Sequence, residues 1–139
     1  MTRNLETVSA IYAAFAKGDV PAILACLAED VRWEEWADNR AQKAGVPWMQ
    51  ARRGREGARA FFDVVSRMKF REFQVLGLME GGRQVAAELV VHADVPASGS
   101  TFRDEEIHLW TFNEAGQVTR FRHYADTSKH IGAALGTER

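Results

Sequence analysis

The stretch Glu105 to Asp126, EEIHLWTFNEAGQVTRFRHYAD, constrains the fold more than any other part of the chain. It reads as a long β-hairpin. Glu105 to Phe112 forms one arm, Asn113 to Gly116 the turn, and Gln117 to Asp126 the return arm. Aromatic and β-branched residues fill both arms, and Gly116 supplies the permissive residue that a tight loop needs. Side chains alternate across a strand, so Glu106, His108, Trp110 and Phe112 share one face, as do Phe121, His123 and Ala125 on the return arm. A carboxylate and two imidazoles among large aromatics are unusual for plain core. They point to an apolar cavity holding a few polar groups.

A chain of 139 residues fits one compact domain, taken here as residues 1–139. Its 46% hydrophobic content can fill a core, and a net charge of -1 gives no basic surface for nucleic acid or anionic lipid. No apolar run approaches the ~18 residues of a membrane helix, and the first residues lack the apolar stretch of a signal peptide. A cytoplasmic protein with neither nucleic-acid nor membrane partner is expected. Cys26 stands alone among Ile23, Leu24 and Leu27, so it reads as packing and forms no internal disulfide.

Leu5, Val8, Ile11, Tyr12 and Phe15 recur at helical spacing, predicting a helix over Asn4 to Lys17 that stops at Gly18. Asp19 caps a second helix with Pro21 in its first turn, ended by Glu29 and Asp30. Val31 to Ala37 then reads as a strand with Val31, Trp33 and Glu35 on one face. Asp38 to Arg53 is a long excursion, placed over a pocket mouth with Trp48 and Met49 as its apolar contact. Gly54 to Met68 is a third helix with Ala58, Phe61, Phe62 and Val65 inward. Antiparallel strands follow from Phe70 on, and Thr127 to Leu135 fits a short closing helix. Helices first and meandering strands later is an α+β order. It predicts a curved antiparallel sheet whose concave face is covered by the N-terminal helices, enclosing a conical cavity.

The segments A-x-x-x-G-D-x-x-A (Ala14 to Ala22), L-A-E-D-V-x-W (Leu27 to Trp33), G-R-E-G-x-x-x-F-F (Gly54 to Phe62) and the Trp110 to Asp126 hairpin together resemble the nuclear transport factor 2-like superfamily. The nearest branch is that of the SnoaL-like polyketide cyclases and ketosteroid isomerases. The resemblance implies a cone-shaped fold, frequent homodimers and an apolar pocket with few ionisable groups. The isomerases' catalytic carboxylate on the first strand corresponds to Glu35, and their oxyanion-donating acid to His108, a position where the cyclases carry histidine. The cyclases' acid/base residue on the last strand corresponds to His123. The isomerases' oxyanion tyrosine aligns with Ile11, next to Tyr12. Glu106-Ile107-His108 stands where limonene epoxide hydrolases carry an Arg-x-Asp pair.

The chemistry of these residues fits proton transfer. An apolar pocket raises a carboxylate's proton affinity, which suits Glu35 to be a base. His108 can donate a proton or a hydrogen bond to a developing oxyanion, and His123 can serve as a second acid or base. The hairpin register places residue 108 opposite 122, give or take one. A strand-end bulge would also bring Asp126 inward. Tyr12, Phe15, Trp33, Trp48, Phe61, Glu106, Trp110 and Phe121 are expected to line the pocket. A metal held by Glu106, His108 and His123 is conceivable, but neither metal nor cofactor is expected. The expected function is isomerase-, cyclase- or hydratase-type proton transfer on a small apolar or aromatic oxygenated molecule. The alternative is a non-catalytic binding domain of the same fold. Ile107 and Leu109 on the sheet's other face suggest a homodimer through the sheets.

Overall fold

The computed structural model describes residues 2–137. Helix α1 (Arg3–Lys17) begins where the Thr2 hydroxyl accepts the Leu5 N–H, and ends at Gly18 with φ 71, a left-handed conformation that suits glycine. Helix α2 (Val20–Ala25) is capped by Asp19, which accepts the Ala22 N–H, and buries Ile23 and Leu24. Strand β1 (Leu27–Trp33), helix α3 (Arg40–Lys43), a 3-10 turn (Pro47–Met49) and the two-residue strand β2 (Arg52–Arg53) lead to α4 (Gly54–Val65). Strands β3 (Lys69–Gly81), β4 (Gln84–Val95), β5 (Ser100–Phe112) and β6 (Val118–Tyr124) follow, then α5 (Thr127–Leu135).

The six strands form one curved, open sheet in the order β2-β1-β6-β5-β4-β3. The meander β3 to β6 is antiparallel, as expected, but β1 runs parallel to β6, so the sheet is mixed. No hairpin links β1 to β6. The long intervening chain frees β1 from the antiparallel geometry that a short turn imposes, and β1 closes the edge that the final hairpin leaves open. The concave face carries the core, from Val8 and Ile11 of α1 to Phe62 of α4 and Leu89 and Val91 of β4. Among the described residues, no helix is long and apolar enough to cross a membrane.

Both boundaries of β1 differ from the sequence reading. Glu29 and Asp30 lie inside β1 rather than ending α2. Between Leu27 and Arg32 the β1–β6 register shifts, so two exposed residues sit side by side where alternation would place one. The strand also stops at Trp33, because Glu34 adopts φ 55. That conformation is uncommon for a residue with a Cβ, and it reverses which side the next side chains take.

Candidate active site

Strand β5 alternates cleanly. It places Asp104, Glu106, His108, Trp110 and Phe112 in the interior, while Ile107 and Leu109 face outward. Strand β6 pairs His108 with His123 and Trp110 with Phe121, the one-residue offset that the turn allows. The two imidazole rings lie 5.8 Å apart. In front of them is a cavity of about 80 Å³. Tyr12 and Phe15 of α1, Trp33 of β1, Trp48 of the 3-10 turn, Phe61 of α4, and Glu106, Trp110 and Phe121 of the sheet all line it, with His108, His123 and His130.

The polar groups form a continuous buried chain. Trp110 Nε1–H, which can only donate, gives its hydrogen to Tyr12 Oη at 3.0 Å. The Glu106 carboxylate only accepts, so the neutral His108 ring carries its hydrogen on Nε2 and the tyrosine hydroxyl donates to Nδ1, 2.7 Å away. His108 Nε2 donates to Glu106 Oε1 at 3.3 Å. The other oxygen of Glu106 lies 3.0 Å from His130 Nε2, which also reaches Asp104 Oδ2 at 2.8 Å. His130 Nδ1 in turn accepts from Trp48 Nε1–H at 2.9 Å. The acceptor-only carboxylate in the middle and the donor-only tryptophans at the ends together set the direction of the hydrogens between them.

The second element is Glu34, fully buried at the end of β1. Its N–H donates to the Phe121 carbonyl, and its Oε1 accepts the His123 N–H at 2.6 Å. Its Oε2 lies 2.7 Å from His123 Nδ1. That oxygen finds no partner of good hydrogen-bond geometry, so charge and proximity hold the two rather than an aligned bond. Of the two His123 ring nitrogens, Nδ1 faces the Glu34 carboxylate, while Nε2 has neither a hydrogen-bond nor an ion-pair partner among the described residues.

These surroundings push the two facing histidines apart. Burial would lower the His123 pKa, but the charge of Glu34 and its contact with the ring win and raise it to about 9. Burial also lowers His108, and there it prevails over the opposing pull of Glu106. Burial alone would raise the Glu106 carboxyl, yet the bonds from His108 and His130 hold it well below the usual carboxylate range. Burial pushes the Tyr12 phenol up, so it stays protonated.

Glu106, His123 and His130 offer ligand atoms within 4.8 Å of one another, a spacing that could suit a metal. His130 does not fit that role. To ligate through Nε2 it would have to carry its proton on Nδ1, where the Trp48 N–H already points.

Residues 8–121 match the SnoaL-like domain family. The chain belongs to that family. Solved structures of the same fold include an NTF2-like protein of unknown function from Burkholderia pseudomallei K96243. It is 24% identical, with 96% of this chain and 98% of that chain covered and a TM-score of 0.79. TerC, co-crystallised with polyporic acid, is 23% identical over 96% and 98% of the two chains, with a TM-score of 0.75. A candidate polyketide cyclase from Xanthomonas campestris pv. campestris is 27% identical over 95% and 96%, with a TM-score of 0.68. No curated protein shows significant sequence similarity to the chain.

The SnoaL-like cavity gathers His108, His123 and every residue expected to line it. Tyr12 reaches it although Ile11 holds the position of the isomerases' tyrosine, since the hydroxyl spans the remaining distance to His108. Two expected residues lie elsewhere. Glu35 has a side chain 41% exposed and pairs on the surface with Arg53 at 2.6 Å and Arg32 at 3.7 Å. The φ of Glu34 ends the alternation that would have carried Glu35 inward. Asp126 is exposed just before α5. Its carboxylate accepts from the Ser128 hydroxyl and only its N–H touches the site, donating to Asp104 Oδ2. Three residues of the network escaped the sequence reading: Glu34, Asp104 and His130. Asp104 continues the even-numbered series of Glu106 and His108, a visible signal. His130 lies one helical turn into α5, and nothing local marks its inward face.

Proposed function

We propose that this SnoaL-like protein is a cofactor-independent enzyme that moves a proton at a carbon next to a carbonyl in a small apolar or aromatic molecule. Isomerisation and aldol-type cyclisation both pass through that step. The observation that carries this reading is the pair of facing histidines with opposite proton affinities. Environments that separate two adjacent titratable groups set up an acid and a base. His123, protonated at neutral pH, donates a hydrogen bond from Nε2 to the carbonyl oxygen as negative charge develops there. Neutral His108 is the base. The substrate proton passes to Tyr12 Oη while the tyrosine's own hydrogen moves to His108 Nδ1, and Glu106 balances the charge formed. Return of the proton to a different carbon gives the isomer, and attack of the enolate on a second carbonyl closes a ring. Buried Trp33 Nε1–H has no protein partner and offers a further donor on the cavity wall. These roles differ from those implied by the resemblance, because Glu34 rather than Glu35 supplies the buried carboxylate and it acts through His123.

The test is solvent deuterium exchange α to the carbonyl, followed by NMR, over a panel of aryl ketones and diketones. His108→Asn and His123→Asn should each slow exchange at least ~100-fold. Wild-type exchange rates in both variants would refute the assignment, and a bound ligand never exchanged by the wild type would favour the non-catalytic binding reading.

Two copies would pair through the outer sheet face. Leu76, Met79 and Tyr124 are exposed there at 48%, 54% and 41%, beside the partly exposed Ile107 and Leu109.

A further inference from the structure

The catalytic cavity is too small to be the whole substrate site. Its volume of about 80 Å³ is well below the ~300–1,000 Å³ typical of ligand pockets. A second hollow of about 400 Å³ adjoins it, toward the end of α1 and the start of α2. Four phenylalanines form part of the wall of both spaces: Phe15, Phe62, Phe70 and Phe73. Phe15 is the hub of this collar, with ring centroids 6.2 Å from Phe62, 5.7 Å from Phe70 and 5.0 Å from Phe73. Beyond the collar the outer hollow is bounded by residues such as Val20 and Ser66, and no charged side chain lines it.

We propose that the two spaces are one bipartite site, and that the substrate is an elongated molecule with a small carbonyl-bearing head and an uncharged apolar tail. The head sits against His123 and Tyr12. The tail passes Phe15, whose ring turns aside, and lies in the outer hollow. Together the spaces come to about 480 Å³, within the range of ligand pockets. Phe15 is only partly buried and lies in the last turns of α1, so a change of its side-chain rotamer opens the passage without moving the sheet. No charged side chain along the outer wall is placed to pair with a carboxylate or ammonium, so an uncharged tail fits it best.

This inference rests on the proposed site but not on its chemistry, so the test reads binding alone. Isothermal calorimetry would follow acetophenone, butyrophenone and octanophenone on the wild type and on Val20→Trp and Ser66→Trp, each of which fills the outer hollow from a different side. Affinity should rise about fourfold per added methylene in the wild type. It should stop rising with chain length in at least one tryptophan variant, while acetophenone binding is retained. Equal affinity across the series in the wild type, no binding of any member, or the same chain-length dependence in both tryptophan variants would overturn it. None of these depends on proton exchange, so wild-type exchange rates in the histidine variants would refute the proposed chemistry and leave the bipartite site standing, and the reverse also holds.

Discussion

Replacing Glu34 by Gln removes the charge that keeps His123 protonated and leaves the side chain's size unchanged. The rise of the His123 pKa from 6.5 to about 9 corresponds to ~3 kcal/mol, at ~1.4 kcal/mol per pKa unit. Both groups are almost wholly buried, so solvent screening takes little from this figure. It also agrees with the ~3–5 kcal/mol cost of breaking a buried pair. The sign follows from linkage. A group whose folded pKa is raised stabilises the fold fully below its unfolded pKa of 6.5, and this contribution fades as pH climbs through about 9. Glu34→Gln should therefore be ~3 kcal/mol less stable than the wild type at pH 6, a melting midpoint lower by ~10 °C for a domain of this size. At pH 10 the difference should shrink to within ~1 kcal/mol. Urea denaturation of both proteins at the two pH values measures it. Equal penalties at pH 6 and pH 10 would show that Glu34 acts through packing or its bond to the His123 N–H, not through the imidazolium.

Glu35→Gln is the control: an exposed pair contributes little, so stability should change by less than ~1 kcal/mol in the same denaturation assay and ketone exchange should be unaltered. Tyr12→Phe strands the Trp110 N–H and unties His108, so it should cost ~1–3 kcal/mol in urea denaturation and lower the exchange rate. In Trp48→Phe, nitrogen NMR should show His130 losing its fixed Nε2–H tautomer, whereas an unchanged tautomer would mean that Asp104 and Glu106 set it alone. The exchange rate should follow a bell over pH, with its acid limb below 6.5 from His108 and its alkaline limb near 9 from His123. The proposed pairing through the outer sheet face predicts a dimer for the wild type and a monomer for Ile107→Glu by light scattering at micromolar concentration.

Parity along a strand carried most of the fold and half of the site. It worked for β5 and β6 because both run regularly through the cavity, so Glu106, His108, Trp110, Phe121 and His123 fell on the right face. It held in β1 for Val31 and Trp33 and failed just beyond them, where one left-handed residue moves the inward carboxylate from 35 to 34. Backbone conformation of that kind leaves no mark in hydropathy, and Glu-Glu at 34 and 35 offers both candidates equally. It also missed His130, because the docking of α5 against β5 is decided by tertiary contacts. Asp126 was misplaced because the return arm ends at Tyr124, two residues earlier than its composition suggests. The parallel β1–β6 pairing has no local signature, since it joins segments from opposite ends of the chain.

The Glu34–His123 contact spans 89 positions, and β1 finds its principal neighbour only in the last strand. A ribosome therefore delivers the acid long before its imidazole. Until β6 has emerged, β1 has no long strand to pair with, and hiding the Glu34 carboxylate would mean desolvating it alone. The nascent domain is held open late, and contacts of such sequence separation make folding slow. A chain interrupted anywhere before Val118 lacks both the last strand and the partner that makes burial of Glu34 favourable, so it should stay open to proteases. The contact proposed to prepare the site for proton transfer is thus one that forms only after β6 has been made.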